Sequence, residues 1–449
     1  MSGCRVALVN PSFSGSFQGA PLCLAYLGAA LEQAGHKVKI FDFWNDPLEG
    51  QAQLVADWRP ALVGVTGTSP SFWESLRFAQ ELRKLDKDAW IVKGGHHERG
   101  DTCTESLMGN FGIFDFAVSA AHGEIPLVHL ANERASDKLL KDVILQAGIY
   151  RRARTGRGFL PEAAAPHAPS HLLPARHLLD RTERYEYRGI FDSRKATQML
   201  TYRGCLFQCS FCAIDSFELK HDLDCIAEDI RTIKSSGHQA VFLDDATFTR
   251  QWHRAEQIAE LLHTAGLGWA CQTRIDCVKI DQLKIMRELG CEYIYYGLES
   301  GSSRVLEAIN KKQQHERTIK IIEETRKLGM KAVTSFIFGV PLSDGQTESK
   351  EDWERSVDLI RMANPTYVVP SIFAYYPQSP AWNRLSYQER AGYSKEFGVN
   401  RQKAWNWFDD GYGAIHHVTL TKAQEIRYYL ERKIPEYLWT DASSSNTPI

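Results

Sequence analysis

The sequence predicts an α/β protein of two successive parallel units, a doubly wound sheet followed by a partial (β/α)6 barrel and a small C-terminal cap. Three observations carry that reading. Short apolar runs alternate with amphipathic helical stretches between residues 5 and 119, the alternation stops in a stretch rich in proline and arginine, and it resumes from Thr197 with strands that end in polar residues. The organisation that follows is a first domain over 1–149, a linker over 150–195, the barrel over 196–385, and a cap with a polar tail over 386–449.

In the first domain, strands are expected at 4–10, 37–43, 61–67, 90–95 and 114–119, with helices at 21–35 and 72–85, where leucine and alanine recur every three or four residues. Strand and helix in strict alternation give a flavodoxin- or Rossmann-like parallel sheet, whose ligands sit at the carboxyl ends of the strands. In the second domain, six strands are expected near 198–204, 240–245, 269–276, 293–300, 332–339 and 367–377. The carboxyl ends of barrel strands hold the chemistry, so Asp244, Asp245, Arg274, Glu299, Ser300 and Gly339 are expected at one mouth. Trp405, Trp407, Phe408 and Tyr412 either line a pocket or pack the cap.

Bulk composition excludes several classes of function. Of 449 residues, 43% are hydrophobic and 24% charged, as in globular proteins, and no apolar run approaches the length of a membrane span. The first residues lack the pattern of a secretory signal, which places the protein in the cytoplasm. A net charge of -2 leaves no broad basic field for a phosphate backbone, so nucleic acid is not an expected partner.

Of ten cysteines, seven (4, 23, 103, 225, 271, 277 and 291) stand singly and read as buried free thiols. The other three, Cys205, Cys209 and Cys212, fall in T-Y-R-G-C-L-F-Q-C-S-F-C-A-I (201–214) with spacing C-x3-C-x2-C. Structural zinc takes four ligands, commonly from two close pairs, and His221 is a poor fourth. Ferredoxin-type four-cysteine patterns are absent too. Three thiols on one loop point to an iron–sulfur cube with one iron left open to a small molecule.

C-x3-C-x2-C, with Gly204 before it and Phe211 between the last two cysteines, strongly resembles the signature of the radical S-adenosylmethionine (SAM) family. The resemblance implies a 4Fe-4S cluster on Cys205, Cys209 and Cys212, with SAM chelating the fourth iron. One electron then cleaves SAM to a 5'-deoxyadenosyl radical. It also implies an external one-electron reductant, a flavodoxin or ferredoxin. L-D-D-A-T-F (243–248) occupies the second-strand position that contacts the SAM amino group, with Asp244 and Asp245 where Gly-Gly-Glu is frequent. Y-G-L-E-S-G (296–301) resembles the fourth-strand motif, with Glu299 or Ser300 near the ribose or carboxylate, and F-I-F-G-V-P (336–341) the fifth-strand glycine motif, with Gly339 against adenine. Arg274 pairs either with the SAM carboxylate or, structurally, with Asp276 or Glu299.

The first domain resembles that of the cobalamin-binding branch of this family, through residues 20–42, T-G-T-S-P-S-F (66–72) and V-K-G-G-H-H (92–97). On that resemblance Thr66, Ser69, Gly94, Gly95 and His96 face a corrin. His96 and His97 point opposite ways on an extended chain, so at most one does. The chain departs from the pattern in reading A-A-H-G-E (120–124) for G-E-G-E and in lacking D-x-H-x-x-G, which leaves cobalt without a histidine from that motif. The branch implies methylation of an unactivated carbon of a small metabolite or amino acid, in natural-product biosynthesis. The alternative is radical rearrangement, cyclisation or oxidation, with or without cobalamin. Alanine at Cys205, Cys209 or Cys212 is expected to abolish cluster binding, read as loss of iron and acid-labile sulfide after anaerobic reconstitution.

Overall fold

The computed structural model describes residues 3–11, 19–44, 46–68, 71–95, 112–119, 122–146, 149–151, 170–179, 190–191, 194–390, 415–416 and 418–438. The described residues up to 179, together with 375–390, form one compact unit, and 190–374 with 418–438 form a second. Residues 375–385, grouped with the barrel in the sequence reading, cluster with the first unit.

The first unit is built on strands β1 (Arg5–Asn10), β2 (Lys37–Asp42), β3 (Leu62–Val65), β4 (Trp90–Gly94), β5 (Phe116–Val118) and β6 (Ile149–Arg151). Their order is β2-β1-β3-β4-β5-β6, with β6 antiparallel and the rest parallel. Residues 6–9 of β1 are buried on both faces, as in a sheet that helices cover twice. Helices α1 (Leu22–Gln33) and α3 (Phe72–Leu85) fall where the periodicity put them, and α3 turns Phe72, Leu76, Ala79 and Leu82 into a core with Val9, Val65 and Ile91. The winding reverses between β1 and β3, which makes their carboxyl ends the crevice of this sheet.

In the second unit, β7 (Ala196–Met199), β10 (Ala240–Leu243), β11 (Gly268–Arg274), β12 (Cys291–Glu299), β13 (Lys331–Phe338) and β14 (Tyr367–Ile372) are all parallel and lie side by side in chain order. This is a six-stranded partial barrel with β7 and β14 as its edges. Parallel winding sends every carboxyl end to one rim. A two-stranded antiparallel pair, β8 (Tyr202–Arg203) with β9 (Leu219–Lys220), stands on that rim after β7. Edge strand β14 carries Pro370, which has no N–H to give, and Val368 bridges to Leu438.

The core of this unit joins strand faces to helices α5 (Leu223–Ser235), α6 (Trp252–Thr264), α9 (His315–Lys327) and α10 (Lys350–Ala363). Helix α10 begins on a reciprocal cap between Ser349 and Asp352 and ends on Asn364 in the left-handed region at φ 48°. Trp269 is fully buried, stacks edge-on against Phe248 and donates its indole N–H to the Leu289 carbonyl at 2.9 Å. Trp269→Ala should cost this unit about 3–5 kcal/mol, measurable as a lower urea midpoint.

Candidate active site

The β8–β9 hairpin closes a loop that carries all three clustered cysteines, and both ends of that loop are fixed by neighbours. Asp245, fully buried just past β10, accepts the backbone N–H groups of Thr201 at 2.7 Å and Tyr202 at 3.2 Å, and bonds the Thr201 hydroxyl. The Tyr202 hydroxyl accepts the Thr247 N–H at 2.6 Å. Gly204 then turns through φ 86°, where a Cβ would run into the Phe217 carbonyl, so only glycine fits. The Cys205 N–H donates to the Asp215 carbonyl across the loop at 2.9 Å. At the far side, Ser210 donates to the Ile309 carbonyl at 2.9 Å, and the Asn310 amide donates to the Gln208 carbonyl at 2.8 Å.

The thiols differ in setting. Burial raises the Cys209 thiol above its ordinary value and pushes Cys212 up to about 11. Arg274, at the end of β11, donates from Nη1 to Cys209 Sγ at 3.4 Å. Its Nε and Nη2 are spent on the two Asp276 oxygens at 2.9 and 2.7 Å, and its guanidinium lies 4.0 Å over the Phe207 ring. Of the partners considered for Arg274, the structure thus shows Asp276.

The other rim residues divide by what they already hold. Asp245 serves the backbone of the cysteine loop, and Ser300 is fully buried, taking the Ser302 N–H at 3.1 Å and meeting the Ser356 hydroxyl at 3.3 Å. Both side chains are engaged in hydrogen bonds within the protein. Glu299 stands at φ 68°, strained for a residue with a side chain, and is 5% exposed. It pairs with Lys311, itself 4% exposed, at 2.6 Å and accepts the Ser335 hydroxyl at 3.0 Å. Asp244 points the opposite way from Asp245 and takes the Gln272 amide at 3.3 Å; burial, then the Asp245 charge, lifts its carboxyl to about 7. Gly339, at φ 73° after β13, gives its N–H to Glu348 at 2.6 Å.

In the first unit the expected residues lie past β3 and β4. Thr66 donates its N–H to the Val9 carbonyl at 3.0 Å, so it sits at the β1/β3 crevice. Gly95, at φ 118°, packs so tightly on Gly67 that a Cβ there would meet the Gly67 carbonyl. Gly94 accepts on its carbonyl the ammonium of Lys93, a fully buried lysine, at 2.9 Å. Ser71 accepts the Thr68 N–H at 2.9 Å, and the Ser75 hydroxyl donates to the Thr66 carbonyl at 2.9 Å. Ser69, His96, His97, and the aromatic residues of 404–413 lie outside the described residues.

Residues 199–360 match the Radical SAM superfamily model, and residues 14–121 match the B12 binding domain model. The chain is a radical SAM enzyme of the cobalamin-binding branch, with a 4Fe-4S cluster, SAM and cobalamin as its cofactors. It is similar to an uncharacterized methyltransferase, PH0819, of Pyrococcus horikoshii (27% identical, over 81% of this chain and 78% of that one). It is also similar to cytidylyl-2-hydroxyethylphosphonate methyltransferase of Streptomyces wedmorensis (25%, over 83% and 79%) and to hopanoid C-3 methylase of Methylococcus capsulatus (25%, over 82% and 69%). Among solved structures, the radical SAM methyltransferase TsrM of Kitasatospora setae shares the fold at a TM-score of 0.67, with 20% identity over 85% of this chain and 74% of that one.

The residues present fit these groups. Three thiols on one braced loop, with no carboxylate or imidazole in the motif, form a donor set that would hold an iron–sulfur cluster. Among the described residues, no three His, Cys, Asp or Glu side chains gather as ligands of a single metal ion. The Gly67–Gly95 contact brings bare backbone together at the carboxyl ends of β3 and β4, with the Lys93, Ser71 and Ser75 side chains beside Gly67. Among the described residues no helix is long and apolar enough to cross a membrane.

Sequence reasoning missed Lys311 and Glu348. Lys311 lies twelve residues from Glu299 and Glu348 nine from Gly339, and no local pattern marks either pairing. Glu348 is 2% exposed, and burial pushes its carboxyl from 4.5 to about 8 although Gly339 and Val340 donate to it. At neutral pH it is protonated in the fold and ionised in the unfolded chain, so the native state holds the extra proton. Stability should therefore fall as pH rises from about 4.5 to about 8, by on the order of 1 kcal/mol per pH unit, and Glu348→Gln should flatten that slope in urea titrations.

Proposed function

We propose that the enzyme is a C-methyltransferase that sets a methyl group on an unactivated carbon of a small metabolite or amino acid, in natural-product biosynthesis. One observation carries the reading: a B12-binding sheet and a cysteine-bearing radical SAM sheet lie in a single chain. The names of the relatives given above, which cover most of this chain, support it. Bound together, the cofactors supply a methyl carrier on cobalt and a one-electron route to a substrate radical.

The chain's own residues have three tasks. Cys205, Cys209 and Cys212 hold the cluster, on a loop whose braced ends limit its movement when the cluster is reduced. Around the rim, Asp244 receives the SAM amino group, Glu299 lies towards the ribose or carboxylate, and Gly339 lies towards adenine. Thr66, Gly94 and Gly95, with Ser69 and His96, face the corrin. We assign 1–149 to corrin binding, 196–385 to SAM and the cluster, and 386–449 to a cap that contributes to the substrate pocket. A cytoplasmic flavodoxin or ferredoxin provides the electrons. The near-zero net charge argues for a small-molecule substrate over nucleic acid.

The test is anaerobic reconstitution with hydroxocobalamin, then SAM carrying a deuterated methyl group and candidate small metabolites. Corrin absorption in the purified protein and a labelled methyl on substrate carbon are expected. A protein that cleaves SAM, takes up no corrin and rearranges or oxidises its substrate would overturn the methylase reading. Gly95→Val should cut corrin uptake at least tenfold while iron and sulfide content stay at the level of the parent protein.

A further inference from the structure

We propose that Arg274 acts on the cluster rather than on SAM: its hydrogen bond to Cys209 raises the cluster's reduction potential and so eases its one-electron reduction. This rests on the reading of Cys205, Cys209 and Cys212 as cluster ligands.

The argument starts from how completely the guanidinium is held. Nε and Nη2 face the two Asp276 oxygens at 2.9 and 2.7 Å, a fork that suits a carboxylate. The flat face rests 4.0 Å over Phe207, a residue of the cysteine loop itself. With those edges taken, Nη1 is aimed at Cys209 Sγ, 3.4 Å away. Both partners are buried, Arg274 at 8% exposed and Cys209 at 9%, so water screens the contact little. A SAM carboxylate would have to displace Asp276 to gain the same fork.

Reduction adds one electron, given by the flavodoxin or ferredoxin, and no proton. The added negative charge spreads over the cluster and its sulfurs. A donor already pointing at one of those sulfurs favours the reduced state over the oxidised one, which raises the potential. Asp276 offsets most of the arginine's charge at a distance, so what remains is the short-range N–H dipole. Arg274 is therefore a positioning residue acting through Cys209.

The experiment is a redox titration of the reconstituted full-length protein, followed by electron paramagnetic resonance without SAM, comparing the parent with Arg274→Met and Arg274→Lys. Methionine should shift the reduced-to-oxidised ratio at fixed poise about tenfold towards oxidised, which is about 59 mV lower for one electron. Lysine keeps the charge but cannot hold Asp276 and reach sulfur together, so its potential should also lie below the parent's. Affinity for SAM should change less than twofold in both. An unchanged potential with weakened SAM binding would assign Arg274 to the SAM carboxylate and overturn the proposal. Loss of the cluster from both variants would make the contact a structural clamp and overturn it equally. If the parent protein itself assembles no cluster, it is the functional reading above that fails.

Discussion

The site depends on one buried carboxylate. Asp245 lies past the end of β10 and holds Thr201 and Tyr202, which lead into the neighbouring cysteine loop, by their N–H groups. A loop that must present three thiols in fixed relation needs an anchored start. The short β8–β9 pair closes that loop, and β7 ends at Met199, six residues before the first thiol, so the chain between them needs a further tie. Asp245 joins the two strand ends, the Tyr202 hydroxyl extends the brace to Thr247, and Gly204 makes the turn that sets Cys205 under Asp215. Burial raises the Asp245 carboxyl to about 6, and the hydrogen bonds from Thr201 and Tyr202 pull against that rise.

Much of the fold was legible because apolar periodicity is a property of neighbours in sequence. The strand at 37–43 and the helix at 72–85 came out as Lys37–Asp42 and Phe72–Leu85, since each presents its own buried face. The cysteine motif was legible for the same reason, being local. What could not be read was the orientation of polar side chains at strand ends. Asp244 and Asp245 are adjacent and alike, yet one faces Gln272 and the other the loop backbone, by the alternation of an extended chain. Ser300 meets the hydroxyl of Ser356 on α10, fifty-six residues on, a partner that no local pattern marks.

The rim sets two kinds of carboxylate side by side. Glu299 pairs with Lys311, while Glu348 is buried beside the Gly339 and Val340 N–H groups, and burial pushes its carboxyl up to about 8. Glu299 also sits where β12 and β13 slip register after Gly297, so its strained backbone and its ion pair are parts of one local distortion.

An open row of parallel strands leaves the backbone groups of its outermost members without partners on one side, a template on which another polypeptide can assemble. At β14 that hazard is met within the strand itself. Pro370 deletes one donor from the ladder an intruding chain would need, and Leu438 takes up the place beside Val368. The barrel therefore stays unclosed without becoming a seed for aggregation along that flank.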